Sequence, residues 1–188
     1  MLVRLARALG KRLRRIVKSE SGATAVEFAM VAGPFFFVLG CICETGLMLF
    51  TEYALQNATQ EAARLVRTGQ VTDGTGAIIM SEGDFKTAVC TNVQALIDCN
   101  SKVTVYVNNA ASFSALASTM GSPLDIGPTS TGATPPIIFN PGAQLKAAAV
   151  VATYDWTFVF PFMNFLGNVD GNKARRIYGL AIFRNEPF

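Results

Sequence analysis

The feature that most limits what this chain can become is a stretch of 22 residues, 28–49 (FAMVAGPFFFVLGCICETGLML), in which Glu44 is the only charged side chain. Wound as a helix at about 1.5 Å per residue, it is about 33 Å long, enough to cross a hydrocarbon core of roughly 30 Å. Seven cations precede it: Arg4, Arg7, Lys11, Arg12, Arg14, Arg15 and Lys18, against one acid, Glu20. Basic flanks stay in the cytoplasm, so the N-terminus is expected inside and the residues after about 50 in the periplasm.

Other uses of such a run fit less well. A buried core helix needs neither this length nor a cationic flank. An ordinary cleaved signal peptide would have a shorter basic region and an Ala-x-Ala site after the apolar run, which is missing. Residues 38–41 (VLGC) faintly resemble a lipobox, but the apolar run continues past Cys41. The 188 residues suffice for one compact domain plus an anchor.

The net charge of +3 is a local matter. Setting aside residues 1–22 leaves nine basic and twelve acidic side chains, so the remainder is net acidic. The basic tail is therefore read as a topology signal, the bilayer as a partner, and no nucleic acid is expected. The chain contains no histidine. That excludes Ser-His-Asp and Cys-His catalysis and any His-ligated metal. There is no G-x-S-x-G, Ser-x-x-Lys or P-loop, and Asp73, Asp84, Asp125, Asp155 and Asp170 are dispersed. Neither an enzyme nor a cofactor or metal is expected.

At the junction of tail and apolar run stands Gly22-Ala23-Thr24-Ala25-Val26-Glu27-Phe28. A glycine without Cβ lets backbone approach a protease closely. Glu27 lies one turn after Ala23, so its carboxylate would face the positive helix N-terminus and any ammonium freed at Ala23. A carboxylate within lipid costs about 2.5–3.5 kcal/mol on insertion scales and normally has a partner. In this setting the motif resembles the type IV prepilin signature: a basic leader, a glycine, then glutamate at the fifth mature position and an aromatic after it. The resemblance implies cleavage between Gly22 and Ala23 by a prepilin peptidase on the cytoplasmic side, with the apolar helix kept. It further implies that Glu27 and Phe28 serve recognition and assembly, Glu27 pairing with a neighbouring subunit's N-terminal amine. Hydration of Glu27 at the interface is the plainer alternative.

At about 100° per residue, Ala25, Ala29, Ala32, Gly33, Gly40 and Glu44 fall on one side of the helix, and Phe28, Val31, Phe35, Val38, Ile42 and Leu49 on the other. Small residues spaced by four let membrane helices approach closely, so this side, with Ala25, Ala29, Gly33, Gly40 and Glu44, is read as a packing face. Glu44, near the far end, is expected to snorkel or to pair with a partner's cation. Pro34 removes the bond to the Met30 carbonyl and should bend or loosen the helix. The helix is predicted to run from 21 to 68, with Arg64 and Arg67 favouring its C-terminus and Gly69 as the C′ residue. Cys41 and Cys43 are read as small apolar residues.

Beyond it, Ser81 is the expected N-cap of a helix from 82 to about 97, with Asp84 near N3. Phe85, Ala88, Val89, Leu96 and Ile97 form its apolar stripe. Residues 103–107, 147–160 and 177–183 read as strands. Residues 110–142, rich in Ser, Thr, Gly and Pro, read as a mobile surface loop. The aromatic stretch 158–165 (FVFPFMNF) suits either core packing or contact with a partner or membrane surface. The expected class is α+β: a long N-terminal transmembrane and amphipathic helix packed on a small antiparallel sheet. The parts are a leader (1–22), a membrane half (23–50), a periplasmic half (51–69) and a periplasmic domain (70–188). An oxidising compartment favours a Cys90–Cys99 disulfide. Nine residues of straight helix would separate their Cα atoms by about 13 Å, beyond bridging range, so the helix must end before Cys99 and the chain reverse.

Residues 22–29, Pro34, residues 55–69 (LQNATQEAARLVRTG), the Cys90–Cys99 spacing and the closing residues 183–188 (FRNEPF) together resemble the TadE-like pseudopilins of Tad (Flp) pilus systems. The resemblance implies a pilin-like fold and a minor pseudopilin for assembly of a type IVb pilus. Its partners would be the prepilin peptidase, other pilins or pseudopilins and the assembly platform. Its setting would be the bacterial inner membrane or the pilus itself, and its service adhesion and biofilm formation. A type II secretion pseudopilin and an uncleaved membrane-anchored binding module are the alternatives.

Overall fold

The computed structural model describes residues 22–73, 75–91, 93–126, 138–169, 171 and 173–188. The leader cations, the expected helix start at Ser21, residues 127–137 of the Ser/Thr/Gly/Pro-rich stretch and Asp170 lie outside them. The first element, α1, is a helix over Ala23–Arg67 that is long and apolar enough to cross a membrane. It continues through Pro34. Within it the chain divides into two units, Met1–Cys43 and Glu44–Phe188.

In the first unit nearly every described side chain is exposed. Cys41 and Cys43 are free thiols, and the Cys41 Sγ–H donates to the Phe37 carbonyl at 2.9 Å.

The second unit begins with the rest of α1, which buries Glu44, Met48, Thr51, Leu55, Ala58, Thr59, Ala62, Ala63 and Val66. Those steps of three and four residues trace one face. The sheet beneath has the order β1-β2-β3, all antiparallel, from Val103–Ala110, Ala147–Thr157 and Ala174–Arg184. The central β2 is buried from Ala147 to Thr153. It is covered on both faces and so reads as a continuous apolar run rather than an alternating one. Gly179 on β3, paired with Ala152, turns its Cα toward Thr59 and Leu55 of α1. Leu116 packs on Ala147 and Ala149 from the other face. The α+β class is as expected, with the long helix on an antiparallel sheet.

Several boundaries differ from the sequence reading. Helix α2 spans Glu82–Cys90, not 82–97. Its start is as expected, with the Ser81 Oγ accepting the Asp84 N–H at 3.1 Å. After Cys90 the Val93 and Gln94 N–H groups both donate to the Cys90 carbonyl, and the chain turns so that Val93 and Ile97 are buried. This early reversal brings the Cα atoms of Cys90 and Cys99 to 5.7 Å in a disulfide. A short helix, α3 (Cys99–Lys102), leads into β1. The stretch expected as a loop holds a helix, α4 (Phe113–Met120), capped by the Ser112 Oγ on the Ala115 N–H at 3.2 Å, and a 3-10 turn at Pro123–Asp125. Burial of Leu116 and Ile126 against the sheet orders residues 113–126 despite their loop-like composition. Strand β3 starts at Ala174, three residues early, because Arg176 forms a bidentate pair with Asp155 directly across the ladder, at 2.6 and 2.8 Å.

The disulfide closes a short loop and is worth roughly 2–3 kcal/mol by chain-entropy reasoning. The denatured, unreduced full chain should take up a thiol reagent at Cys41 and Cys43 only, and at all four cysteines after reduction. Four labelled thiols before reduction, read by intact mass, would rule the bridge out.

Candidate functional site

The N-terminal motif lies where α1 begins. Gly22 is half-buried in a turn, and Ala23 is the first helical residue and exposed. Glu27 is exposed one turn later, with Phe28 beside it. Ala25, Ala29 and Gly33 are exposed as well; a methyl group added at Gly33 would meet nothing within 4 Å. Gly40 is half-buried. Ala25, Ala29, Gly33 and Glu27 lie on exposed helix surface within the first unit, so a second helix could reach them.

Glu44 behaves differently and corrects the sequence reading. It is 5% exposed, and its two carboxylate oxygens accept the backbone N–H groups of Val159 and Phe160. Strand β2 ends at Thr157, so those two donors have left the ladder and Glu44 satisfies them. The expected snorkelling or pairing with a partner's cation gives way to a bond inside the chain, and Glu44 does not belong with Ala25, Ala29, Gly33 and Gly40 as free packing surface. The same bonds end β2 three residues before the expected 160.

Further along α1 the quoted motif residues fasten the helix to β3. The Gln56 side-chain amide donates to the Leu180 carbonyl at 2.9 Å and accepts the Leu180 N–H at 2.8 Å, occupying the outer edge of the sheet as a strand would. Thr59 donates its hydroxyl to the Leu55 carbonyl at 2.7 Å, drawing its side chain onto the helix just where Gly179 approaches. At the C-terminus Gly69 has φ +74°, with Gln70 N–H on the Leu65 carbonyl and Gly69 N–H on the Val66 carbonyl, a Schellman closure. The end of the chain covers it. Phe188 packs its ring over Gly69, Glu186 donates its N–H to the Arg67 carbonyl at 2.9 Å, and its carboxylate meets the Arg67 guanidinium at 2.9 Å. The buried Asn185 amide donates to the carbonyls of Pro141 and Ala143. Residues 55–69 and 183–188, far apart in sequence, thus form one latch.

Sequence reasoning missed Gln56, Thr59 and Gly179 as joining residues. Gln56 and Thr59 stand in the quoted motif, but only β3 gives them a role. Carboxylates with displaced pKa values lie in turns away from this helix. The Thr75 hydroxyl, then the Ala77 N–H, hold Asp73 below the usual carboxylate range, and the Ser101 hydroxyl does the same for Asp98.

Comparison with known proteins bears on this same helix. A family model described as TadE-like protein matches residues 22–64, from Gly22 of the N-terminal motif through Gln56 and Thr59. No curated protein and no solved structure matches the chain. Residues 22–64, about a quarter of the chain, are therefore similar to the TadE-like family, and the similarity covers the N-terminal motif and most of α1.

Proposed function

We propose that this chain is a minor pseudopilin that helps assemble a Tad (Flp) type IVb pilus, after a prepilin peptidase cuts between Gly22 and Ala23. Its part is assembly rather than catalysis. The observation that carries this reading is the TadE-like match, whose first residue is Gly22, followed by a helix that starts at Ala23 and is apolar enough to span a membrane. The basic leader holds the N-terminus in the cytoplasm and the unit after residue 43 faces the periplasm. Glu27, exposed one turn into the mature helix, pairs with the freed amine of an adjacent subunit, which removes the cost of a lone carboxylate in lipid. The exposed Ala25, Ala29 and Gly33 let that subunit's helix come close. Contacts with other pilins and with the assembly platform follow from this role, as does service in surface adhesion.

The direct test is the N-terminal sequence of the protein recovered from host membranes. Ala23 as first residue is expected; Met1 would mean an uncleaved anchor and would overturn the reading. Glu27→Ala should be cut nearly as well as the parent chain yet leave cells with few pili. Wild-type piliation, counted by electron microscopy, would remove the pairing role.

A further inference from the structure

The connection between β2 and β3 opens on an uncharged stretch rich in aromatic residues. The 14 residues from Trp156 to Val169 have no ionisable side chain, and four of them are phenylalanines. Its burial is split. Phe158 and Met163 point into the fold, while Val159, Phe162 and Phe165 are 76%, 45% and 72% exposed. A 3-10 turn over Pro161–Leu166 displays Phe162 and Phe165, and Val159 precedes it. Large apolar side chains exposed together on a short turn call for an apolar partner.

The bond to Glu44 says at what level the turn sits. Glu44 accepts the N–H groups of Val159 and Phe160, so the turn starts beside that residue. Glu44 lies five residues before Leu49, the end of the apolar run, which is roughly 7 Å along the helix axis. The turn therefore begins within the length of the run and not beyond it. Exposed Leu47, Leu49 and Phe50 mark the same level on α1. Where the loop returns, Lys173 is exposed and Arg175 donates to the Leu166 carbonyl at 3.1 Å. Aromatic rings with cations just behind them suit the boundary between acyl chains and phosphate headgroups.

We propose that residues 159–165 insert into the interface of the phospholipid bilayer that α1 crosses, as a second membrane contact held at its depth by Glu44. This rests on the reading of α1 as a membrane anchor. The carboxylate is kept in an apolar setting because it satisfies two backbone donors that lipid could not.

The test uses the full chain in vesicles of phosphatidylcholine with brominated acyl chains, which quench nearby indoles. Trp156 is the single tryptophan, so Trp156→Phe supplies a silent background. On it, Phe165→Trp probes the turn, Phe36→Trp the membrane helix, and Phe113→Trp an exposed site on α4. Expected are strong loss of emission for Phe36→Trp and Phe165→Trp and little for Phe113→Trp. Quenching for Phe36→Trp with Phe165→Trp no more affected than Phe113→Trp overturns the second contact and leaves the anchor standing. An unquenched Phe36→Trp overturns the anchor, and the second contact with it. Adding Glu44→Ala to Phe165→Trp should weaken the quenching while Cys90 and Cys99 stay protected from thiol reagents. Undiminished quenching overturns Glu44 as the tether.

Discussion

Gly22→Trp is expected to leave the chain uncut in host membranes, heavier by its whole leader, and to abolish its contribution to piliation. The peptide bond after residue 22 must be drawn into a protease, and a residue without Cβ lets the two backbones meet. An indole at that position holds them apart. The helix itself should be spared, because Gly22 precedes its first residue, Ala23. Membrane fractions probed by mass would show the precursor alone. Normal processing of Gly22→Trp would mean that the cut is elsewhere, and the assignment of Gly22 and Ala23 would fall.

Gly179→Val should be the most destabilising single change in the second unit. A Cβ at this position would lie 2.3 Å from the Thr59 Oγ1 and 2.7 Å from the Leu55 carbonyl oxygen. The first neighbour is a side chain; the second is helix backbone and cannot move without shifting α1. Overpacking of this kind typically costs about 1–3 kcal/mol, and the rigid carbonyl puts valine at about 3 kcal/mol or above. The Gln56 amide bonds to Leu180, the next residue, would be lost as well. The urea midpoint of the detergent-solubilised full chain reads the loss. Gly179→Ala should be milder, and Thr59→Ala should recover only part of it because the carbonyl remains. A Gly179→Ala chain as stable as the parent would show that helix and strand do not approach this closely.

The parts legible in the sequence were those written in neighbouring residues. The 22-residue apolar run, the cations before it and the spacing from Gly22 to Glu27 are local patterns. So are the strand at residues 103–107, the Ser81 cap and the glycine that closes α1 at 69, each set by backbone preferences of the residues involved. Helix α4 also left a local trace: Phe113, Leu116 and Met120 keep helical spacing after the capping Ser112. The Ser, Thr and Gly content around them masked it, and burial of Leu116 against Ala147 and Ala149 decided the outcome.

Other features depended on partners far along the chain. Glu44 read as a membrane carboxylate with an external partner, but its ligands are backbone donors 115 and 116 residues away. Gln56 looked like an ordinary polar helix residue until β3 brought Leu180 beside it, 124 residues on. The latch of residues 183–188 over Gly69 and the stop of α2 at Cys90 are of the same kind. Local pattern therefore specified the long apolar helix and most of the elements, because helical and strand periods are encoded over a few residues. The docking of α1 on β3 and the internal use of Glu44 were decided only in the folded chain, because burial and hydrogen-bond satisfaction depend on which distant groups arrive at the same place.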